Sequence, residues 1–194
     1  MNYGKAKNYV LKKLKRELSP DLHYHCVSHT KDVIKAVTRL GKMEKVTKKE
    51  LTLLKTAALF HDIGFTETYD GHEKAGAEIA HKTLPQFDYS DEDIKAIEGM
   101  ILATEIPQNP KTHLEKILAD ADLDYIGRDD FFVIGQRLQY EWKLRGITTS
   151  LKDWHEKQLK FLQSHKYFTD SAKKLREKTK QHNIYELKKL LCKK

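Results

Sequence analysis

Apolar residues recur along this chain at intervals of three and four, the period of an amphipathic helix. Tyr9, Val10, Leu14 and Leu18 mark a first helix that Pro20 ends. A second is expected from His23 to Met43, carrying Val27, Val33, Ile34, Val37 and Leu40 on one stripe and stopping near Gly41. Thr47 with Glu50 three residues on reads as a capping box ahead of Leu51, Leu53, Leu54, Ala57, Ala58 and Leu59. That run is apolar enough to be the central buried helix, with Gly64 placed where a C-terminal cap belongs. A fourth helix is expected from Gly71 to Leu84 before Pro85, and a fifth behind Ser90 and Asp93 with Ile94, Ile97, Met100, Ile101 and Leu102. After the loop Pro107-Gln108-Asn109-Pro110, helices are expected from Thr112 to about Ile126, Asp129 to about Arg145 and Leu151 to Gln163. A Lys-rich tail ends in an amphipathic piece built on Ile184, Leu187, Leu190 and Leu191. No segment alternates at the period of a strand and no internal repeat is visible, so the expected fold class is all-α.

Composition narrows the picture. With 194 residues, 39% hydrophobic and 33% charged, the chain suits one charge-rich globular domain rather than two full ones. No apolar run approaches the roughly 20 residues of a membrane helix, and Met1 to Leu18 is basic and amphipathic without a signal peptide's apolar stretch. Cys26 and Cys192, far apart, make no disulfide framework, and the expected compartment is the reducing cytoplasm. The net charge of +8 is uneven: residues 1–17 carry +5, residues 18–151 carry −5 and residues 152–194 carry +8. Seven of the ten histidines lie in the acidic middle, a combination that suits a bound cation better than a nucleic acid. The basic ends leave an RNA-associated role open beside the simpler reading of solvated helix faces.

Four places carry candidate chemistry. His25 and His29, at i and i+4, fall on one face of the expected second helix. Phe60-His61-Asp62-Ile63-Gly64 sets adjacent His and Asp at the end of the most apolar helix. Tyr69-Asp70-Gly71-His72-Glu73 opens the next helix, and Asp120-Ala121-Asp122-Leu123-Asp124 sits on a later one. Two imidazoles and two carboxylates give a mixed nitrogen and oxygen set for one divalent cation, with about two negative charges to balance it. Water on such a cation has a lowered pKa and serves as a nucleophile near neutrality. No Gly-rich phosphate loop, Cys-x-x-Cys pair or serine-nucleophile turn is present in the sequence.

The order of these pieces, paired histidines, then His-Asp, then Gly-His-Glu, then Ala-Asp-Leu, resembles the HD-domain superfamily of metal-dependent phosphohydrolases, and its bacterial stand-alone members in particular. The resemblance covers roughly residues 20–145. It implies a compact multi-helix bundle over residues 1–150, followed by a basic helical extension at 151–194. It also implies a phosphorylated small-molecule substrate, such as a nucleotide, cleaved at a phosphomonoester or phosphodiester, or else a non-catalytic sensor of the same fold. The implied metal is manganese, magnesium, iron, cobalt, nickel or zinc, one per chain. The implied ligands are His29, His61, Asp62 and an Asp in an Ala-Asp context, for which Asp122 is favoured over Asp120.

His25 matches the histidine that protonates the leaving oxygen in cyclic-nucleotide phosphodiesterase relatives; packing against Tyr24 or capping a carbonyl is the alternative. His72 matches a residue that contributes to a second metal in two-metal relatives. Those relatives place a histidine on the following helix, where this sequence reads Ile101-Leu102-Ala103-Thr104-Glu105. That departure counts against a binuclear centre and against the family's di-iron oxygenases, and makes His72, with Glu73, a base, water-positioner or phosphate contact. Lys31, Lys111 and Arg128 are candidate phosphate contacts. The amphipathic piece at 184–191 leaves open both self-association into a homodimer and docking onto the domain, and no membrane partner is expected.

Overall fold

The computed structural model describes residues 1–192. Among them are nine α-helices and no strand: α1 (Tyr3–Glu17), α2 (Val27–Met43), α3 (Lys48–Phe60), α4 (His72–Thr83), α5 (Asp91–Leu102), α6 (His113–Asp122), α7 (Phe131–Leu144), α8 (Leu151–Ser164) and α9 (Asp170–Cys192). The expected all-α class is the observed one. Single 3₁₀ turns follow α3 (Ile63–Thr66), α4 (Leu84–Phe87) and α6 (Asp124–Gly127). No helix among the described residues is long and apolar enough to cross a membrane.

The described residues form two compact units, the first of residues 1–19 and 25–122, the second of residues 20–24 and 123–192. The first is built around α3, whose last turns, Ala57, Ala58, Leu59 and Phe60, are fully buried. Both capping boxes formed as expected, Thr47 with Glu50 on α3 and Ser90 with Asp93 on α5. Each fixes a helix start independently of packing, while each buried Leu, Ile or Phe adds about 1.5–3 kcal/mol of burial. The second unit holds α7, α8 and α9. In it Arg176 grips the buried Asp124 through Nε and Nη2 at 2.8 and 2.9 Å, and the Asn183 amide donates to the carbonyls of Ile126 and Arg128.

Three expectations are corrected. Helix α2 starts at Val27 rather than His23: Cys26 is extended (φ −130°, ψ 173°), and the Tyr24 N–H donates to the buried Glu141 carboxylate at 2.9 Å, so its backbone is committed elsewhere. His25 therefore precedes the helix that carries His29. Gly64 is not a left-handed cap, since His61 follows α3 in helical conformation. Gly64 is needed instead for close approach, because a Cβ there would lie 1.9 Å from the His72 carbonyl oxygen. The basic tail is one helix of 23 residues rather than a short terminal piece; Ile184 and Leu187 are buried and Leu190 is exposed.

Candidate metal centre

Each candidate ligand stands at an end of a helix in the first unit. His29 is in the first turn of α2, His61 and Asp62 follow directly on α3, and Asp122 is the last residue of α6. Ending α3 inside the core carries His61, 1% exposed, and Asp62, 5% exposed, into a place where unpaired polar groups are costly.

The structure brings three of the four into one group, His29, His61 and Asp122, with Asp62 beside the two histidines. His29 Nε2, His61 Nε2 and Asp122 Oδ1 form a triangle with edges of 3.1, 3.3 and 3.4 Å. Asp62 Oδ2 lies 3.2 Å from His61 Nε2 and 3.5 Å from His29 Nε2. Ligands about 2.1 Å from one cation stand about 3.0 Å apart in an octahedral arrangement and about 3.4 Å apart in a tetrahedral one, which brackets these edges. Of the two acids weighed on α6, Asp122 is the one beside the imidazoles; Asp120 is buried elsewhere on that helix.

The donor chemistry fits a cation. His61 Nδ1 donates to the Ala58 carbonyl at 2.9 Å, which turns the Nε2 lone pair towards the cluster, the orientation a ligating histidine needs. Asp62 Oδ2 is buried and has no hydrogen-bond partner. Burial alone would raise the Asp62 and Asp122 carboxyls. The imidazoles of His61 and His29 outweigh it and hold both well below the usual carboxylate range. Burial would likewise lower His61, but Asp62 and Asp122 raise it well above the ordinary imidazole value. The ionised carboxylates thus draw positive charge to the cluster, as protons on the imidazoles or as a cation in their place.

Around it lies a group of rings. His25 stacks on Phe65 with centroids 4.2 Å apart, and His72 stacks on the same ring at 3.9 Å. The two imidazoles are 6.0 Å apart, and His25 is 6.3 Å from His29. Tyr69 meets Phe65 and His25 edge-on. His72 Nδ1 is 3.3 Å from the Tyr69 carbonyl, leaving Nε2 3.3 Å from Glu73 Oε1 and 3.8 Å from Asp62 Oδ1.

Sequence reasoning missed Phe65 and Tyr69. Their only signal was position, one directly after the His-Asp-Ile-Gly run and one three residues before His72. The phosphate candidates are less engaged with this cluster: Arg128 is taken up by Asp130 at 2.8 Å, Lys111 Nζ donates to Asn109, and Lys31 is exposed. Where two-metal relatives are expected to carry a histidine, the Thr104 hydroxyl donates to the Ile101 carbonyl at 2.7 Å.

Residues 26–124 match the HD domain, about half of the chain, and the protein belongs to that family. Three solved structures share its fold. A predicted HD superfamily hydrolase from an uncultured Thermotogales bacterium is 23% identical over 95% of this chain and 90% of its own, with a TM-score of 0.65. Bacillus subtilis YpgQ, in complex with ADP, is 18% identical over 98% and 95%, with a TM-score of 0.69. A Lactobacillus plantarum protein is 19% identical over 97% and 96%, with a TM-score of 0.68. No curated protein matches the sequence.

Proposed function

We propose that the chain is a metal-dependent phosphohydrolase acting on a nucleotide or another phosphorylated small molecule. The observation that carries this reading is the convergence of His29, His61 and Asp122, with Asp62 Oδ2 buried and unbonded at its edge. These four residues would hold one divalent cation, and their mixed nitrogen and oxygen chemistry suits a transition metal or magnesium. Bound there, the cation supplies Lewis acidity to a phosphoryl oxygen and lowers the pKa of a water.

The chain's own groups do the rest. His61 is held in orientation by Ala58, so its lone pair needs no reorganisation. With Nδ1 directed at Tyr69, His72 Nε2 is the atom that exchanges a proton, and Asp62 and Glu73 flank it. It orients the attacking water as the water oxygen bonds to phosphorus. As the bond from phosphorus to the leaving oxygen breaks, His25 delivers a proton to that oxygen. Phe65 fixes both imidazoles by stacking, which limits the geometries they sample. The ADP complex of the Bacillus subtilis relative favours nucleotides within the substrate class.

The test is phosphate release from a nucleotide and phosphoester panel. Metal-stripped protein is resupplied separately with manganese, magnesium, cobalt, nickel, iron and zinc, beside an Asp62→Ala variant, and metal content is measured in parallel. Metal-dependent turnover that vanishes in the variant is expected. Metal retained by the wild type without turnover on any substrate would replace the hydrolase with the non-catalytic sensor.

A further inference from the structure

The second unit holds a groove of about 710 Å³ between α8 and α9, and its lining is basic. Lys173, Lys180 and Lys188 come from one face of α9 and Lys166 from the segment before it, against a single acid, Glu177. Lysines on a solvated helix keep their ammonium groups in water. Lys180 does not: it is 3% exposed, with Nζ 2.9 Å from the His165 carbonyl, 3.1 Å from Glu177 and over the Tyr167 ring. Lys166 and Lys188 form no ion pair among the described residues, and Lys173 meets only Asp170, which is 98% exposed. The groove therefore keeps a net positive charge.

His165 adds a second sign of a missing partner. Both its ring nitrogens are shielded from solvent and have no hydrogen-bond partner. Burial and the Lys180 ammonium push its pKa down to about 4, so the ring is neutral at pH 7 and carries one unmet N–H donor and one unmet acceptor beside the lysines. Of these two ring atoms, the N–H donor is the one that an anion drawn by the lysines would satisfy.

The extent of the charge selects among anions. Lys173 to Lys188 spans 15 residues of helix, about 22 Å at 1.5 Å per residue. That is too long for one nucleotide and suits a chain of phosphates. Tyr167, Leu162 and Ile184 are all buried, so they offer bases no stacking surface, and the exposed polar groups of the lining are point charges and amides. A single strand can follow such a groove, whereas a stiff duplex would touch only its rim.

We infer that the α8–α9 groove binds the phosphodiester backbone of a single-stranded nucleic acid and does not read its bases. Exposed Lys166, Lys173 and Lys188 each meet one phosphate, while Lys180 and His165 form the floor. This site shares no residue with the candidate metal centre and stands or falls independently of the phosphohydrolase reading.

The experiment is fluorescence anisotropy of the full chain with labelled oligouridylate, oligodeoxyadenylate and inorganic polyphosphate across a salt series. Three phosphate contacts predict a log–log salt slope of about −2, and so about 20-fold weaker binding at 200 mM than at 50 mM salt. The two oligonucleotides should bind alike. The Lys173→Glu/Lys188→Glu pair should lose binding by about tenfold or more, and the Lys173→Arg/Lys188→Arg pair should keep it. His61→Ala should leave binding unchanged, which separates the groove from any nucleotide taken up at the metal centre. A flat salt response, equal affinity in the Glu pair, binding to polyphosphate alone, or loss of binding in His61→Ala would each overturn the inference. Should the Glu pair fail to fold by circular dichroism, the salt slope and the Arg pair still decide.

Discussion

Asp122 and Asp124 are neighbours but one in the chain, and each faces nitrogen-bearing side chains in its own unit, but their surroundings differ in kind. Asp124 receives a planar, bidentate guanidinium from Arg176, so its charge is neutralised inside the protein. Asp122 faces His29 and His61, groups that can be neutral, beside a second carboxylate whose Oδ2 is unbonded. A polar group that serves stability carries its counter-charge with it. One that serves chemistry leaves a valence for something that arrives.

The largest test of that contrast is Asp122→Asn. We predict that metal content falls from about one ion per chain to near zero and turnover drops by about 10³-fold, since Lewis-acid stabilisation is worth several kcal/mol. In the metal-free state the same variant should lower the melting temperature by less than Arg176→Ala does, because the amide oxygen still accepts from the imidazoles that now favour the carboxylate. If it destabilised the metal-free protein as Arg176→Ala does, the contrast would collapse. Arg176→Ala comes next: stranding Asp124 should cost about 3–5 kcal/mol in denaturant unfolding while metal content, read by mass spectrometry, is retained.

Gly64→Ala sharpens the comparison from another side. A methyl 1.9 Å from the His72 carbonyl must displace the backbone, so we predict a loss of about 2–4 kcal/mol together with weakened metal retention. Gly71→Ala, at φ +72° with open space around it, should cost about 1 kcal/mol and leave the metal in place.

The smallest effect is one of pH. His165 has a folded-state pKa of about 4 against an ordinary value of 6.5, so the unfolded chain binds its proton more readily. The stability contributed by neutral His165 is complete above pH 6.5 and is lost as pH falls towards 4, by roughly 1 kcal/mol after screening. Glu177 and Lys180 face the same ring, and Glu177 is itself held below its usual value, so the control is the flattening of this slope in His165→Leu.

Much of the fold was legible because its signals are local. The capping boxes at Thr47 and Ser90, the apolar stripe of α3 and the stop at Pro85 need nothing beyond neighbouring residues. The start of α2 was not legible, because what unwinds the chain before Val27 is a hydrogen bond from Tyr24 to Glu141, far away in sequence. The length of α9 was obscured by its lysines, which form helix well but show no apolar period. The candidate site was readable through His29, His61, Asp62 and Asp122, whose residue types announce their chemistry. Phe65 was not, because a ring between helices is common and only tertiary structure places two imidazoles on it.

The contact of Gly64 with the His72 carbonyl bears on tolerance to ion size. His61 and Asp62 sit between the fully buried end of α3 and a glycine pressed on the next helix, so that side of the cluster is a fixed jaw. His29 and Asp122 are single residues on two separate helices and form the adjustable one. On the proposed one-metal reading, a change of a tenth of an ångström or two in ionic radius would be absorbed by small shifts of α2 and α6. Exchange among magnesium, manganese, zinc and their neighbours would then be a matter of supply, with the fixed jaw keeping Asp62 and His72 in register throughout.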